Sequence, residues 1–512
     1  MTGAIVGLGG ARRNAGAALC REGVLVAACE RERITRTRGQ GMVEDGFPEE
    51  AVDAVATVAG VRATPGSDLT YASAEDRVTV PEGCAHLRYP HHYSHAASSF
   101  LSSPFTDACV VVCDRHRSPD VSVWKAGPRA IEPMGDAWDG PGFATLYGVI
   151  ARAFGLTPQR DEHRLEALAR LSAGGGPGSQ FEIATVDGSR LRIPDDLTDR
   201  LQSAVHAAAG TGSLADLASG VQRRVADLLV DWLAGRIEPG SNLCLAGGLF
   251  YNTYFNTRIA EHPAFRDVFV PTHPGNTGLA VGSALAAVAQ SLTSANGGHS
   301  EGLKAHPASP FLGPAYGAEE IKATLDNCKL SYEYVNDHQL VERTVDTLRA
   351  GHLVGWFHGP MEWGPRALGH RSILASPLSP YVLENLNRFL KRREVVRSYG
   401  VSVPEGEAAR LFVGPARSPF MQFEYRVRDP DLFRHVVPPG SERLRVHTVG
   451  EEPRLLGALL GAFGGATGLP VLVNTSFNGF HEPIVCTPRD AVRVFYGTGL
   501  DMLVMGNFIL RK

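Results

Sequence analysis

The strongest constraint on this chain is a local pattern that recurs along it: short apolar runs that stop on glycine, asparagine or aspartate. Ile5, Val6 and Leu8 lead into Gly9-Gly10, Ala108 to Cys113 stops at Asp114, Leu243 to Ala246 runs into Gly247-Gly248, and Val471 to Val473 meets Asn474-Thr475-Ser476. Runs of this length read as buried strands, so polar residues or glycines repeatedly stand at strand ends. The opening is strand, turn, strand, because Val24 to Ala28 follows the turn Arg21-Glu22-Gly23. Helical spacing lies between the strands: within 216–233 the apolar residues Leu217, Val221, Val225, Leu228, Leu229 and Leu233 share a face. The pattern also predicts a helix over 318–327 and a strand over 353–357. Alternating strands and helices predict an α/β fold class.

A length of 512 residues predicts about three structural units. Lys and Arg total 50 against 54 Asp and Glu, a net charge of −4, which excludes a general DNA-binding protein but leaves room for a local basic patch. The eight cysteines form no CxxC pair, so neither a zinc ribbon nor a disulfide framework is expected, and a reducing cytoplasm fits best. Residues 1–10 have no secretory signal pattern. The longest apolar stretch, 278–292, carries Ser283, Gln290 and Ser291 and reads as a buried helix, not a membrane span. The Ser, Gly and Pro-rich segment 291–310 reads as a linker, with a domain boundary near 305. Gly174 to Gly178 reads as a flexible loop.

Three constellations carry possible chemistry. His91 and His95, at i and i+4, share a helix face and are able to chelate a divalent ion, with Asp114 completing a two-histidine, one-carboxylate set. Satisfied interior histidines are the alternative. Gly247-Gly248 and the turn Pro274 to Gly278 offer backbone amides and a helix start to a phosphate, although such turns are common. The third is basic: the run Glu362 to Ser372, then Lys391, Arg393 and Arg397, then Arg443 and Arg445, with Asn474 to Asn478. In a chain of net charge −4 this clustering predicts a pocket for a nucleotide or acyl phosphate, with a solvated helix face as the alternative over 388–397.

The chain resembles the NodU/CmcH-type carbamoyltransferases over nearly its whole length. The resemblance rests on EWGPRALGHRS (Glu362 to Ser372), the Lys391 to Arg397 segment, SPFM at Ser418 and NTSFN at Asn474. In the first half it rests on HHYSHA, LAGGLFYN, PGNTGLAVGSAL and ERITR. It implies an actin-like (ASKHA) domain of two similar subdomains over 1–304, which transfers the carbamoyl group. It further implies a YrdC-like α/β domain over 305–512, which makes carbamoyl adenylate from carbamoyl phosphate and ATP. The acceptor it implies is a hydroxyl, or an amine, of a small-molecule natural product in secondary metabolism. Arg366, Lys391, Arg393, Arg397, Arg445, Ser476 and Asn478 match the family's catalytic positions. Nucleotide binding falls to Gly247, Gly248, Gly275, Asn276, Gly278 and Arg371. His91, His95, Asp114 and Asn276 match the metal positions, for Fe(II) foremost, with Zn(II) or Mn(II) as alternatives, alongside Mg²⁺ with ATP. The expected partners are carbamoyl phosphate and the acceptor, with no DNA and no membrane, and with a homodimer as one possible assembly.

Three positions depart from that pattern. Arg13-Asn14 stands where the family commonly has His-Asp, which removes the expected general base. Arg115 replaces a glycine after the metal-binding aspartate, and Asn276 replaces an aspartate ligand. His92, His116 and His273 are the candidate replacement bases, and an amine acceptor would lessen the need for one. The alternatives are threonylcarbamoyl transfer to tRNA, a hydrogenase-maturation enzyme, and a degenerate member that binds nucleotide or serves as a partner subunit.

Overall fold

The computed structural model describes residues 3–42, 46–62, 69–75, 78–115, 118–172, 181–295, 309–393, 397–438 and 441–512. The first sheet holds β1 (Ile5–Gly9), β2 (Gly16–Arg21), β3 (Val24–Glu30), β4 (Thr70–Ser73) and β5 (Ala85–Arg88), in the order β3-β2-β1-β4-β5. The second holds β6 (Ala108–Cys113), β7 (Val121–Ala126), β8 (Ile131–Pro133), and, after the small hairpin of β9 (Thr185–Asp187) and β10 (Arg190–Arg192), β11 (Ser241–Ala246) and β12 (Phe265–Phe269). Its order is β12-β11-β6-β7-β8. In each sheet the first three strands form an antiparallel meander and the last two join the first strand's other edge in parallel. The two sheets therefore share one topology, the actin-like pair of subdomains that the resemblance implies. The turn between β1 and β2 is thereby equivalent to the turn between β6 and β7, which places Arg13 and Arg115 at matching points of the two halves.

The remaining strands are β13 (Glu333–Tyr334), β14 (Val354–Phe357), β15 (Arg371–Ala375), β16 (Gly400–Pro404), β17 (Phe412–Val413), β18 (Phe423–Val427), β19 (Arg443–Val449), β20 (Leu472–Ser476), β21 (Met502–Met505) and β22 (Phe508–Arg511). They form one mixed ten-stranded sheet, β13-β22-β21-β14-β15-β20-β16-β19-β18-β17. One face of its centre packs Trp356, Leu374 and Leu472 against Leu456, Leu459 and Phe463 of the helix Arg454–Thr467.

The predicted helix over 318–327 is present as Ala318–Asn327, and the one over 216–233 as Leu214–Ala234. The apolar stretch at 278–292 forms the helix Leu279–Ala295, which lies on β1. No helix among the described residues is long and apolar enough to cross a membrane. One expectation shifts: β20 continues through Asn474 and Thr475 to Ser476, because those residues pair with Leu374, Ile373 and Ser372 of β15. Asn474 is thus a ladder residue, bonded to Ser402 Oγ at 2.9 Å. The turn at 275 opens its helix through one turn of tighter helix, Asn276–Gly278. The boundary near 305 and the glycine loop at 174–178 lie outside the described residues.

Packing fixes where the histidine motif sits. The helix His91–Leu101 is buried at every position except Tyr93, since it is enclosed between the second sheet and the helix Leu279–Ala295. That contact needs Gly282, where a Cβ would come within 2.0 Å of the Ser94 carbonyl oxygen. With all faces covered, His91 and His95 have only a polar interior site in which to place their nitrogens.

Candidate active site

His91, His95 and Asp114 converge at the end of β6, with one ligand atom from each within 4.8 Å of the others. His91 Nε2 lies 2.8 Å from Asp114 Oδ2, and His95 Nε2 lies 3.5 Å from the same oxygen and 3.2 Å from Asn276 Oδ1. All three are nearly sealed from solvent. Burial acts to raise the Asp114 carboxyl, but hydrogen bonds and charge from His91 and His95 outweigh it and hold it well below the usual carboxylate range. His91 Nδ1 is buried with no hydrogen-bond partner among the described residues. Two imidazoles, one carboxylate and one amide oxygen form a mixed nitrogen and oxygen donor set, which suits a divalent transition ion. These residues fit such an ion.

The glycines divide into two groups. A Cβ on Gly247 would stand 2.1 Å from the Cys113 carbonyl, on Gly275 2.6 Å from the Tyr251 ring, and on Gly278 2.0 Å from the His273 carbonyl. Protein fills the room left by these three. Gly248 differs, for the nearest neighbour of its Cβ position is Asp114 Oδ1 at 3.8 Å, so it opens toward the cluster of His91, His95 and Asp114. Glu75, which the sequence reading missed, is buried nearby and accepts from Ala11 N at 2.8 Å. It stands alone in the sequence, so no motif marks it.

A second polar cluster brackets the two halves of the chain. Glu30 Oε1 accepts from Gly364 N at 3.0 Å, Arg33 at 3.2 Å and His273 Nε2 at 2.9 Å, and Arg33 also donates to the Gly364 carbonyl at 2.6 Å. Burial would raise Glu30, but Arg33 and then His273 bring it down to about 2. Arg36 continues the bracket onto the carbonyls of Pro483 and Ile484. The ERITR motif is therefore a joint. His273 is held at its other nitrogen by the Tyr251 hydroxyl at 2.9 Å, and His92 is held by Ser122 Oγ at 2.7 Å. His116 lies outside the described residues.

Within EWGPRALGHRS, Glu362 Oε1 accepts from the backbone amides of Leu368, His370 and Arg371 at 2.8, 2.8 and 3.0 Å. Arg371 is wholly buried, donates to the carbonyls of His358, Gly359, His370 and Pro314, and stacks 3.7 Å over the Phe357 ring. It shapes the loop and does not face an open pocket, which corrects its expected place among the nucleotide contacts. The fixed loop presents Arg366.

Arg366 is half-buried, and its charge is penalised by burial, with Glu166, Arg170 and Glu424 as neighbours. Arg445 is penalised further by burial and then by Arg366 and Arg170. Across from them, Arg170 donates to Glu424 at 2.7 Å, and Thr253 Oγ1 bonds Glu166 at 2.8 Å. Burial would raise Glu166, but Arg170, Arg445 and Arg366 bring it down to about 2. Lys391 directs its ammonium to the carbonyls of Ser476 and Asn478 at 2.7 and 3.0 Å, and Ser476 Oγ donates to Asn478 Oδ1 at 2.9 Å. Arg393 is held by Asn387 Oδ1 at 2.8 Å and stacks on Tyr399. Arg397 and Arg38 are the cations that bear on His163. Arg443 stands apart, paired with Glu261 at 3.0 Å. The structure thus brings Arg366 and Arg445 together beside Glu166, Arg170 and Glu424, and Lys391 together with Ser476 and Asn478, with Arg38 of the first half of the chain close to Lys391.

Two family descriptions match this chain: Carbamoyltransferase N-terminus over residues 193–285 and Carbamoyltransferase C-terminus over 345–512. The chain belongs to the carbamoyltransferase family. This carbamoyltransferase is 31% identical over 480 residues to an uncharacterized protein, sll1178, of Synechocystis sp., covering 82% of this chain and 75% of that protein. It is 26% identical over 554 residues to the nodulation protein NolNO of Sinorhizobium fredii, covering 97% of this chain and 78% of NolNO. Among solved structures, the activator of the 2-hydroxyisocaproyl-CoA dehydratase from Clostridium difficile aligns with a TM-score of 0.39 at 15% identity, over 57% of this chain and 97% of that one.

Proposed function

We propose that this carbamoyltransferase works in two steps and that the basic cluster around Arg366 and Arg445 performs the first. There, carbamoyl phosphate, ATP and water give carbamoyl adenylate, phosphate and pyrophosphate, with Mg²⁺ accompanying the nucleotide. The observation that carries this reading is a crowding of cations: Arg366 and Arg445 stand with Arg170 beside two carboxylates, Glu166 and Glu424, which Arg170 and Thr253 already bond, and Lys391 is held on the carbonyls of Ser476 and Asn478, with burial acting against the charge of Arg366, Arg445 and Lys391. A bound polyanion relieves that penalty, and cations already in place stabilise the charge that develops as pyrophosphate leaves.

The second step carries the carbamoyl group to a hydroxyl, or an amine, of a small-molecule natural product in the cytoplasm. The neighbouring actin-like half supplies that step. His91, His95, Asp114 and the Asn276 amide oxygen would hold the divalent ion, Fe(II) foremost, whose chemistry is that of a Lewis acid or a phosphate anchor. Gly248 leaves the approach to that cluster open.

The test is pyrophosphate release from the purified protein given ATP, Mg²⁺ and carbamoyl phosphate. Release that depends on carbamoyl phosphate and is lost in Arg397→Ala and Ser476→Ala supports the reading. Release that survives both substitutions removes the basic cluster from the reaction.

A further inference from the structure

His273 stands between Tyr251 and Glu30 in one continuous chain of hydrogen bonds. Its Nδ1 lies 2.9 Å from the Tyr251 hydroxyl, and its Nε2 lies 2.9 Å from Glu30 Oε1. Glu30 is a carboxylate paired with Arg33 at 3.2 Å, so it only accepts, and His273 Nε2 carries the proton between them. In the neutral ring Nδ1 is then an acceptor, and the Tyr251 hydroxyl donates to it. Burial pushes that hydroxyl above its usual range, which keeps it an O–H and not a phenolate. The order is hydroxyl, imidazole, carboxylate, an arrangement that lets a hydroxyl pass its proton inward while the carboxylate steadies the imidazolium.

The chain begins beside the cluster of His91, His95 and Asp114. Tyr251 ends the tight helical turn Gly248–Tyr251, in which positions i and i+3 lie over one another, so it leaves the turn on the side of Gly248. The Cβ position of Gly248 is 3.8 Å from Asp114 Oδ1. The Tyr251 ring and hydroxyl also cover Gly275, at 2.6 and 3.2 Å from where its Cβ would stand, and the next residue, Asn276, places Oδ1 3.2 Å from His95 Nε2. One residue further, Thr277 Oγ1 donates to the Asn14 carbonyl at 2.9 Å. The hydroxyl is therefore packed against the loop that carries Asn276, and that loop is bonded to the turn where Arg13 stands in place of the expected base. An arginine does not accept a proton at neutral pH. At its other end the chain reaches the second half of the protein: His273 packs on Trp363 with ring centroids 4.5 Å apart, and Glu30 accepts from Gly364 N at 3.0 Å.

We propose that Tyr251 takes the proton of the acceptor hydroxyl in the transfer step, with His273 as the base behind it and Glu30 as the positioning residue. The proposal rests on the two-step reading and belongs to its second step, in the actin-like half. As the acceptor oxygen attacks the carbamoyl carbon, its O–H bond breaks toward the Tyr251 oxygen, and the Tyr251 O–H bond breaks toward His273 Nδ1. An O–C bond forms. The bond from the carbamoyl carbon to AMP then breaks, with its electron pair leaving on the AMP oxygen. The imidazolium, held against Glu30, afterwards returns its proton through Tyr251 to water.

Two substitutions test this with water and hydroxylamine as acceptors. Tyr251→Phe keeps the ring against Gly275 and removes only the hydroxyl. His273→Gln keeps a donor for Glu30 and an acceptor for Tyr251 but takes up no proton, so it preserves a merely structural role. Each is expected to slow AMP release to water by about 100-fold, with carbamoyl-phosphate-dependent pyrophosphate release in the first turnover and trapping as hydroxyurea within about twofold of wild type. Hydroxylamine is nucleophilic without a base, which separates loss of the relay from loss of the site. In mixtures of light and heavy water, the wild-type rate of AMP release should trace a curve set by two moving protons, and the Tyr251→Phe rate a straight line. AMP release at the wild-type rate in either variant overturns the proposal, and so does a straight line in the wild type. Wild-type protein that releases no pyrophosphate would instead sink the adenylate reading, and nitrogen NMR of histidine-labelled protein would still decide the relay. A proton on His273 Nε2, with an Nδ1 signal that moves in Tyr251→Phe, supports it; a proton on Nδ1 overturns it.

Discussion

Two buried polar clusters hold the halves of this protein together, and they treat charge in opposite ways. In the bracket of Glu30, Arg33, His273 and Gly364, one carboxylate oxygen meets a guanidinium, an imidazole and a backbone amide, so that one carboxylate is matched by one arginine, while Glu30 Oε2 and Arg33 Nε and Nη1 have no partner among the described residues. In the basic cluster, Arg366 and Arg445 crowd Arg170, and the carboxylates Glu166 and Glu424 are already bound by Arg170 and Thr253. The bracket has compensated its charges and serves the fold. The cluster around Arg366 sets three arginines against two carboxylates, and on the proposed function an anionic ligand supplies the balance.

The largest expected effect lies on the bracket. Arg33→Met leaves Glu30 buried without its cation and should lower stability by about 3–5 kcal/mol, read as a fall in thermal or urea midpoint. A fall below 1 kcal/mol would mean that the joint is not held by charge. In the basic cluster the same kind of change should do the reverse: Arg445→Ala should leave stability level or higher, because it relieves repulsion. It should slow carbamoyl-phosphate-dependent pyrophosphate release by about 100- to 1000-fold. Equal losses of stability in both variants would erase the contrast.

Acid should weaken both clusters through their carboxylates. Glu30 and Glu166 are each held at about 2 against an ordinary 4.5, so both favour the folded state in their charged form. Stability should be full above pH 4.5 and fall progressively as pH drops toward 2. In Arg33→Met, the part of that slope belonging to Glu30 should vanish. A smaller effect belongs to Arg115, whose Nη1 lies 2.0 Å from where a Cβ on Gly148 would stand, in the middle of the helix Phe143–Ala153. Alanine usually exceeds glycine in a helix by about 1 kcal/mol. Gly148→Ala should show that gain in an Arg115→Ala background and lose it in the wild type, a coupling that a double-mutant cycle measures.

Much of the site was legible in the sequence where residues act locally. The i, i+4 spacing of His91 and His95 put them on one helix face, and the apolar run ending at Asp114 put its carboxylate at the C-terminal end of a strand, the central one of its sheet. What local pattern could not reveal was partnership across hundreds of residues. Arg33 meets Gly364 331 positions away, and Arg170 meets Glu424 254 positions away. Arg371 lies within a basic motif and reads as a ligand contact, yet four carbonyls and the Phe357 ring enclose it.

The sequence by itself determined the elements and their chemistry. Strand composition and helical period set the α/β class, and the turn glycines and motif arginines set which kinds of ligand the chain is equipped to meet. These depend on interactions a few residues apart, so a linear reading recovers them. Only the tertiary structure decided which cations are neutralised and which stay in surplus, because a guanidinium's effect depends on burial and on the carboxylates within a few ångströms of it. By that division Arg33 is a joint and Arg371 a loop staple, and it is the proposed function that leaves Arg366 and Arg445 for a ligand.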